Sequence, residues 1–208
     1  MKAICASLSI AVLLTANAVA QAQPKSGLLQ FKLDPATTSI HWTLSATAHS
    51  VHGTFRLTSG EFQIDTATGN ASGLVVIDAT SGESGNSTRD RRMHREIIES
   101  DKFPTITFRP THVNGKVDLT GPAPITVPVE GIFNLHGQDH PLQLSLDLRN
   151  SGNAVAVETR FEIPYVAWGM KDPSTFLFRV DKQVHIDLTT AAVPLPAQAH
   201  SPAASLSR

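Results

Sequence analysis

From residue 28 onward the chain alternates apolar and polar side chains with a period of two, the mark of strands with one buried face. Ile125, Val127, Val129, Phe133 and Leu135 alternate with Thr126, Pro128, Glu130, Asn134 and His136, and only Ile132 breaks the phase. Leu142, Leu144, Leu146 and Leu148 form a second such series, and Val155, Val157, Phe161 and Ile163 a third. Phe176, Phe178, Val180, Val184, Ile186 and Leu188 share one phase, with Lys182 the only clear charge on it. Ile40, Trp42 and Leu44 begin the pattern upstream, followed by Val51, Phe55, Phe62, Ile106 and Phe108. Leu74-Val75-Val76-Ile77 is apolar on both faces, which predicts a strand covered on both sides. Turn residues such as Asp34-Pro35, Gly69-Asn70, Asn114-Gly115 and Gly137-Gln138 separate the runs. Strands at this spacing, each with one apolar face, call for a closed barrel or a sandwich. A barrel also leaves no exposed edge.

One helix interrupts the strands, over Ser87 to Glu99. Ser87 is the expected N-cap, and Asp90 three residues on completes a variant of the capping box. Met93 and Ile97 share a face suited to docking on the barrel, with Arg89, Arg91, Arg92 and Arg95 around the remainder. Pro104 holds Phe103 extended and stops the helix from continuing.

The two ends of the chain read differently. Met1-Lys2, an apolar run from Ile4 to Ala20 and the sequence Ala18-Val19-Ala20 form the three parts of a secretory signal peptide, residues 1–20. Cleavage near Ala20 removes the only cysteine, Cys5, so no disulfide framework is available and the fold depends on its core. The expected location is the periplasm or the exterior. Residues 193–208, rich in Ala, Pro and Ser, read as a disordered tail.

Charge narrows the function. Of 208 residues, 17 are basic and 18 acidic, which leaves no cationic surplus for nucleic acid. No G-x-S-x-G elbow or cysteine nucleophile is present, and the inward phase carries almost no titratable group, so no catalytic residue is assigned. His49-x-x-His52 and His136-x-x-x-His140 have spacings compatible with a zinc site or with ordinary surface and turn histidines. Gly82 to Asn86 before the helix fits an anion site or a plain capped loop. The arginine cluster fits a phosphate clamp or a solvated helix face. An eight-stranded barrel is wide enough either to be filled by its own side chains or to hold one slender ligand, and the pattern alone does not choose.

An ordered set of segments resembles the YceI family. Asp34 with Ser39-Ile40-His41-Trp42, then Val51-His52-Gly53-Thr54-Phe55 and Gly60-Glu61-Phe62, resemble its opening strands. Gly85-Asn86, Arg89-Asp90, Met93 and Phe103-Pro104-Thr105-Ile106-Thr107-Phe108 carry the most specific likeness. Gly131 to Gly137 with Pro141-Leu142 resembles the strand-His-Gly-strand hairpin, and Val180, Val184 and Ile186 the closing strand. The likeness covers residues 29–190, within a domain drawn at 28–190. Tyr165-Val166-Ala167-Trp168-Gly169 departs from the aspartate-aromatic-glycine turn of many members, and Lys171-Asp172-Pro173 is an insert.

The resemblance implies an all-β fold, an extended antiparallel lipocalin-like β-barrel with one short helix inserted, enclosing an apolar channel. It implies a carrier or sink for a polyisoprenoid or other long-chain lipid, with an isoprenoid quinone or prenyl phosphate favoured. A quinone-using redox partner then becomes conceivable, no cofactor beyond the lipid is called for, and the chain is a monomer or homodimer. Trp42, Leu44, Phe55, Phe62, Phe108, Phe133, Leu135, Phe161, Ile163 and Phe178 are expected to line the channel. Tyr165 and Trp168 are expected at its mouth, with Arg89 and Arg92 toward a polar head group. Two rivals stand beside this reading: a metal-dependent enzyme using His49, His52 and His136 or His140, and a packed barrel that works through its surface.

Overall fold

A computed structural model describes residues 27–47, 49–121 and 123–196. The expected signal segment at 1–20 and the tail beyond residue 196 lie outside the described residues. Nine strands follow in order: β1 Leu28–Leu33, β2 Ser39–Leu44, β3 Val51–Asp65, β4 Ala71–Glu83, β5 Thr105–Val113, β6 Ile125–Leu135, β7 Gln138–Asn150, β8 Val155–Ile163 and β9 Val184–Pro194. Every pairing is antiparallel, and β2 through β9 form a ring that closes where β2 meets β9. β1 continues β2 in the same slot between β3 and β9, pairing Leu28 to Lys32 with β3 and Phe31 to Leu33 with β9. Nine strands therefore fill eight positions of a closed barrel.

A short 3-10 turn, Pro35–Thr37, breaks the shared slot, and Asp34 caps it by accepting from the Ala36 N–H at 2.9 Å. The proline cannot donate to the ladder, which makes this the natural place for the interruption.

The alternation in β6 is intact. Gly131 occupies an inward position beneath the ring of Phe108, where a Cβ would lie 2.4 Å from a ring carbon. Ile132 therefore points outward in correct phase, and the break in the apolar pattern is a glycine standing where a side chain has no room. The β6–β7 hairpin turns on two residues, His136 and Gly137, with φ of 54° and 73°. Such a pair of positive φ values gives the turn whose twist matches the strands it joins. His136 tolerates the strain because its Nε2 meets the Glu99 carboxylate at 2.8 Å and its ring packs on Phe103.

Several expectations are corrected. The helix is capped by Asn86, whose Oδ1 accepts from the N–H groups of Thr88 and Arg89, and not by Ser87. Asp90 instead turns back to accept from the Ser84 N–H at 3.0 Å. The α-helical part, α1, is Ser87–Arg92, followed by a π-helical turn over Met93–Ile97, and the segment ends with Glu99 at φ 50°. The series beginning at Phe176 is not one strand: β9 starts at Val184, and Phe176 to Gln183, with Lys182, form a loop. β9 also runs through Val193 and Pro194, pairing with Lys32 and Phe31, so the segment assigned to the tail begins as strand. Leu74 is 43% exposed, so β4 is covered on one face only.

His94 fastens the helical segment across one end of the barrel. Its Nε2–H donates to the Gly82 carbonyl at 2.8 Å, and its Nδ1 bonds the Ser100 hydroxyl at 2.9 Å. Met93, Ile97 and Ile98 are thereby set facing into the barrel mouth.

Candidate ligand-binding site

The barrel is hollow, and its space is divided. An upper chamber of about 430 Å³ opens at the end carrying the helix, and a lower chamber of about 130 Å³ lies toward the other end. Ile77, Phe133, Phe161 and Leu188 line both, which makes them a waist across one elongated channel. The rings of Phe133 and Phe161 meet edge to face with centroids 6.2 Å apart. This is a favourable aromatic geometry that holds the waist in place.

Strand periodicity positions most of the wall. Trp42 and Leu44 on β2, Phe55 on β3, Leu135 on β6 and Ile163 on β8 line the upper chamber, while Phe62 on β3 and Phe108 on β5 line the lower. Phe178 also lines the upper chamber, at its rim, but from a loop and not from a strand, and it is 61% exposed. Trp168 is corrected. It lies outside the chamber lining, half-buried against Phe133 and flat on the ring of His140. Tyr165 does line the upper chamber, but its hydroxyl is engaged by the protein, donating to the Asp181 carbonyl at 2.8 Å. Burial, with the nearby Asp172 and Asp181 carboxylates, pushes the Tyr165 phenol up to about 12.

The pattern gave no notice of the segment between β8 and β9. Met170, Pro173 and Thr175 reach the upper chamber from it, and Ile98 does so from the end of the helical segment. Irregular backbone has no period, so alternation does not place it.

Among the described residues, Arg89 and Arg92 are the only charged ones lining the upper chamber. Ser84 holds the Arg89 guanidinium, its hydroxyl accepting from Nε at 2.7 Å and its carbonyl from Nη2 at 2.9 Å. Arg92 is paired with Glu96, which also accepts from Arg95 at 2.7 Å and from Lys171 at 2.9 Å. The bonds from Arg95 and then Lys171 hold the Glu96 carboxyl down at about 2. Glu96 thus ties the 164–182 segment to the helix across the mouth. The result is an apolar tunnel with two guanidinium groups at its rim.

The alternatives weighed from sequence resolve differently. Among the described residues no three His, Cys, Asp or Glu gather to hold a metal. His52 bonds Thr43, His136 bonds Glu99 and His140 stacks on Trp168. The first helical amides that an anion would need are taken by Asn86.

A closed antiparallel barrel around an apolar channel, with a helix and a loop across one end, defines the class of hollow β-barrels with an apolar interior. The chain belongs to the YceI family: the YceI-like domain matches residues 31–192. The fold is shared with a polyisoprenoid binding domain from Saccharophagus degradans implicated in plant cell wall breakdown, at 18% identity and TM-score 0.62, covering 80% of this chain and 99% of that one. It is shared with BcnA of Burkholderia cenocepacia, at 16% identity and TM-score 0.64, covering 77% and 99%. A YceI protein of Campylobacter jejuni aligns at 12% identity and TM-score 0.53, covering 66% and 80%. No curated protein sequence matches the chain.

Proposed function

We propose that this protein binds one amphiphile with a long isoprenoid or acyl tail, and that it carries or sequesters that lipid rather than transforming it. The observation that carries the reading is the upper chamber: about 430 Å³, walled by apolar side chains, with Arg89 and Arg92 its only charges among the described residues. Pockets of this size and character suit small apolar ligands fixed by a few polar groups. The likeness to a polyisoprenoid binding domain supports an isoprenoid tail. The two guanidinium groups favour a head group rich in acceptor oxygens, a prenyl phosphate or an isoprenoid quinone. A quinone would bring a quinone-using redox partner within reach of the same function. The work takes place in the periplasm, after cleavage near Ala20.

The driving force is burial of the tail. At ~0.8 kcal/mol per carbon, each five-carbon unit contributes roughly 4 kcal/mol. Eight units exceed the ceiling of about 20 kcal/mol for non-covalent binding, so affinity saturates and the length of the channel must discriminate between tails.

Native mass spectrometry of protein exported to the periplasm, followed by solvent extraction, tests the proposal. The expected result is one lipid species near one equivalent. A clean apo mass that persists after incubation with isoprenoid quinones, prenyl phosphates and fatty acids overturns it and favours a barrel that acts through its surface.

A further inference from the structure

The strongest feature left unused by the channel is a tip of apolar side chains standing in solvent beside its mouth. Phe176 is 92% exposed, Leu177 76% and Phe178 61%. Contiguous exposed apolar groups of this size mark an interaction site, whereas scattered ones do not.

The tip is built and held. Thr175 and Phe178 close a turn through the Thr175 N–H to the Phe178 carbonyl at 2.8 Å, which places Phe176 and Leu177 at its apex. Behind it the Thr47 and Arg179 backbones join at 3.0 Å, Val180 bridges Ala46, and the Ser174 hydroxyl accepts from the Val180 N–H at 3.0 Å.

Charge says what the tip meets. The loop from Lys171 to Gln183 and the helical segment from Ser87 to Ile97 together carry seven basic residues against four acidic ones, in a chain whose totals are 17 and 18. Lys171 on Glu96 joins the two segments. Asp172 and Asp181 accept from the backbone N–H groups of Ser174 and Gln183, and the Arg95 side chain stays 76% exposed. Exposed aromatic and aliphatic groups on a loop that, with the helix tied to it, carries a cationic surplus have the composition of an interfacial anchor on an anionic membrane.

We propose that the Phe176-Leu177-Phe178 tip, with the basic residues around it, docks the protein on an anionic lipid bilayer with the channel mouth facing the membrane. Phe178 belongs both to the tip and to the chamber rim, so a docked molecule has its opening at the lipid surface. The proposal rests on the lipid-binding reading for its purpose but not for its test.

Phe176 and Leu177 do not line the chamber, so the variant Phe176→Ser/Leu177→Ser separates docking from ligand retention. Cosedimentation is measured with vesicles of phosphatidylcholine alone and of phosphatidylcholine with phosphatidylglycerol. The wild type is expected to pellet with the anionic vesicles, less so at high salt, and the variant to bind more weakly by roughly tenfold or more. Wild-type protein that pellets with neither vesicle, or a variant that binds as well as wild type, overturns the proposal. So does a dimer in sedimentation equilibrium that the variant dissociates, which assigns the patch to a second copy of the chain. Lipid occupancy is followed by native mass spectrometry in the same samples. Empty wild type that still binds vesicles refutes the channel reading and leaves docking standing.

Discussion

The imidazole of His140 lies flat on the indole of Trp168, with centroids 4.0 Å apart and planes within 3° of parallel. His140 lies on the part of β7 outside its ladder with β8, which runs only from Leu146–Thr159 to Asn150–Val155, and Trp168 stacks on it there. Phe133 packs on the same indole at 5.9 Å, so the stack also supports the waist of the channel.

That contact makes stability depend on pH. Burial is the chief cause that lowers the His140 pKa below 6.5, Asp139 opposes it, and Nε2 is buried without a partner among the described residues. The unfolded chain then binds the proton more readily than the folded one. The contribution from the neutral ring is full above 6.5 and is lost as pH falls through the lower folded value. Thermal melts on either side of that range should show a fall in midpoint for the wild type, with a smaller fall for His140→Phe, which keeps the stack and cannot titrate. Equal falls in both would remove His140 as the cause.

The waist sets how far a tail can reach. Phe133→Ala in this buried position should cost ~3–5 kcal/mol in urea denaturation. The half-buried Phe161 offers the milder change, and Phe161→Leu should join the two chambers while the barrel still folds. In competition between farnesyl and solanesyl compounds, the variant is expected to shift retention toward the longer chain. An unchanged preference would mean that the waist yields to the ligand already in the wild type.

Tyr165 is the only tyrosine, so its ionisation is read without interference. Its folded pKa of about 12 lies above the ordinary 10.0, chiefly through burial. The stability it contributes is therefore full below 10 and is lost as pH rises toward 12. Tyrosinate absorbance and near-ultraviolet circular dichroism should change together in alkaline titration. Absorbance that rises at the ordinary value while the fold persists would place the phenol in solvent. Tyr165→Phe, which leaves the Asp181 carbonyl without this donor, should cost about 1 kcal/mol.

Glu96 governs the mouth. Its carboxyl is held at about 2 by Arg95, Lys171 and Arg92, so the clip is fully made above 4.5 and is released as pH falls toward 2. Hydrogen exchange at the Ser174 and Val180 amides should be slow at neutral pH in the wild type and faster in Glu96→Gln. Identical protection in the two proteins would show that the loop is held by its own turns alone.

Much of this was legible in the chain. Strand alternation placed Trp42, Leu44, Phe55, Phe62, Phe108, Leu135 and Ile163 on the wall, because period two assigns a face without knowledge of the partner strand. At Phe178 the same phase reached the chamber rim from a loop and not from a strand, because alternation in sequence does not require a ladder. Trp168, expected at the mouth from the resemblance, lies elsewhere because the turn of Pro164 to Met170 folds back on β6 and β7, and no local signal specifies that return. The cap moved from Ser87 to Asn86 because both side chains suit the role, and Asp90 was drawn to Ser84.

The sequence by itself determined an all-β fold of one-faced strands, barrel or sandwich, with one inserted helix, its inward face and the scarcity of charge along it, since these follow from residue type and period. Only the tertiary structure decided that the interior is hollow, that Phe133 and Phe161 divide it, and that Phe176 and Leu177 stand in solvent beside its mouth. Those outcomes depend on how far apart the strands close and where the loop between β8 and β9 is anchored. They are set by contacts between residues distant in the chain, and a one-dimensional pattern holds no term for such contacts.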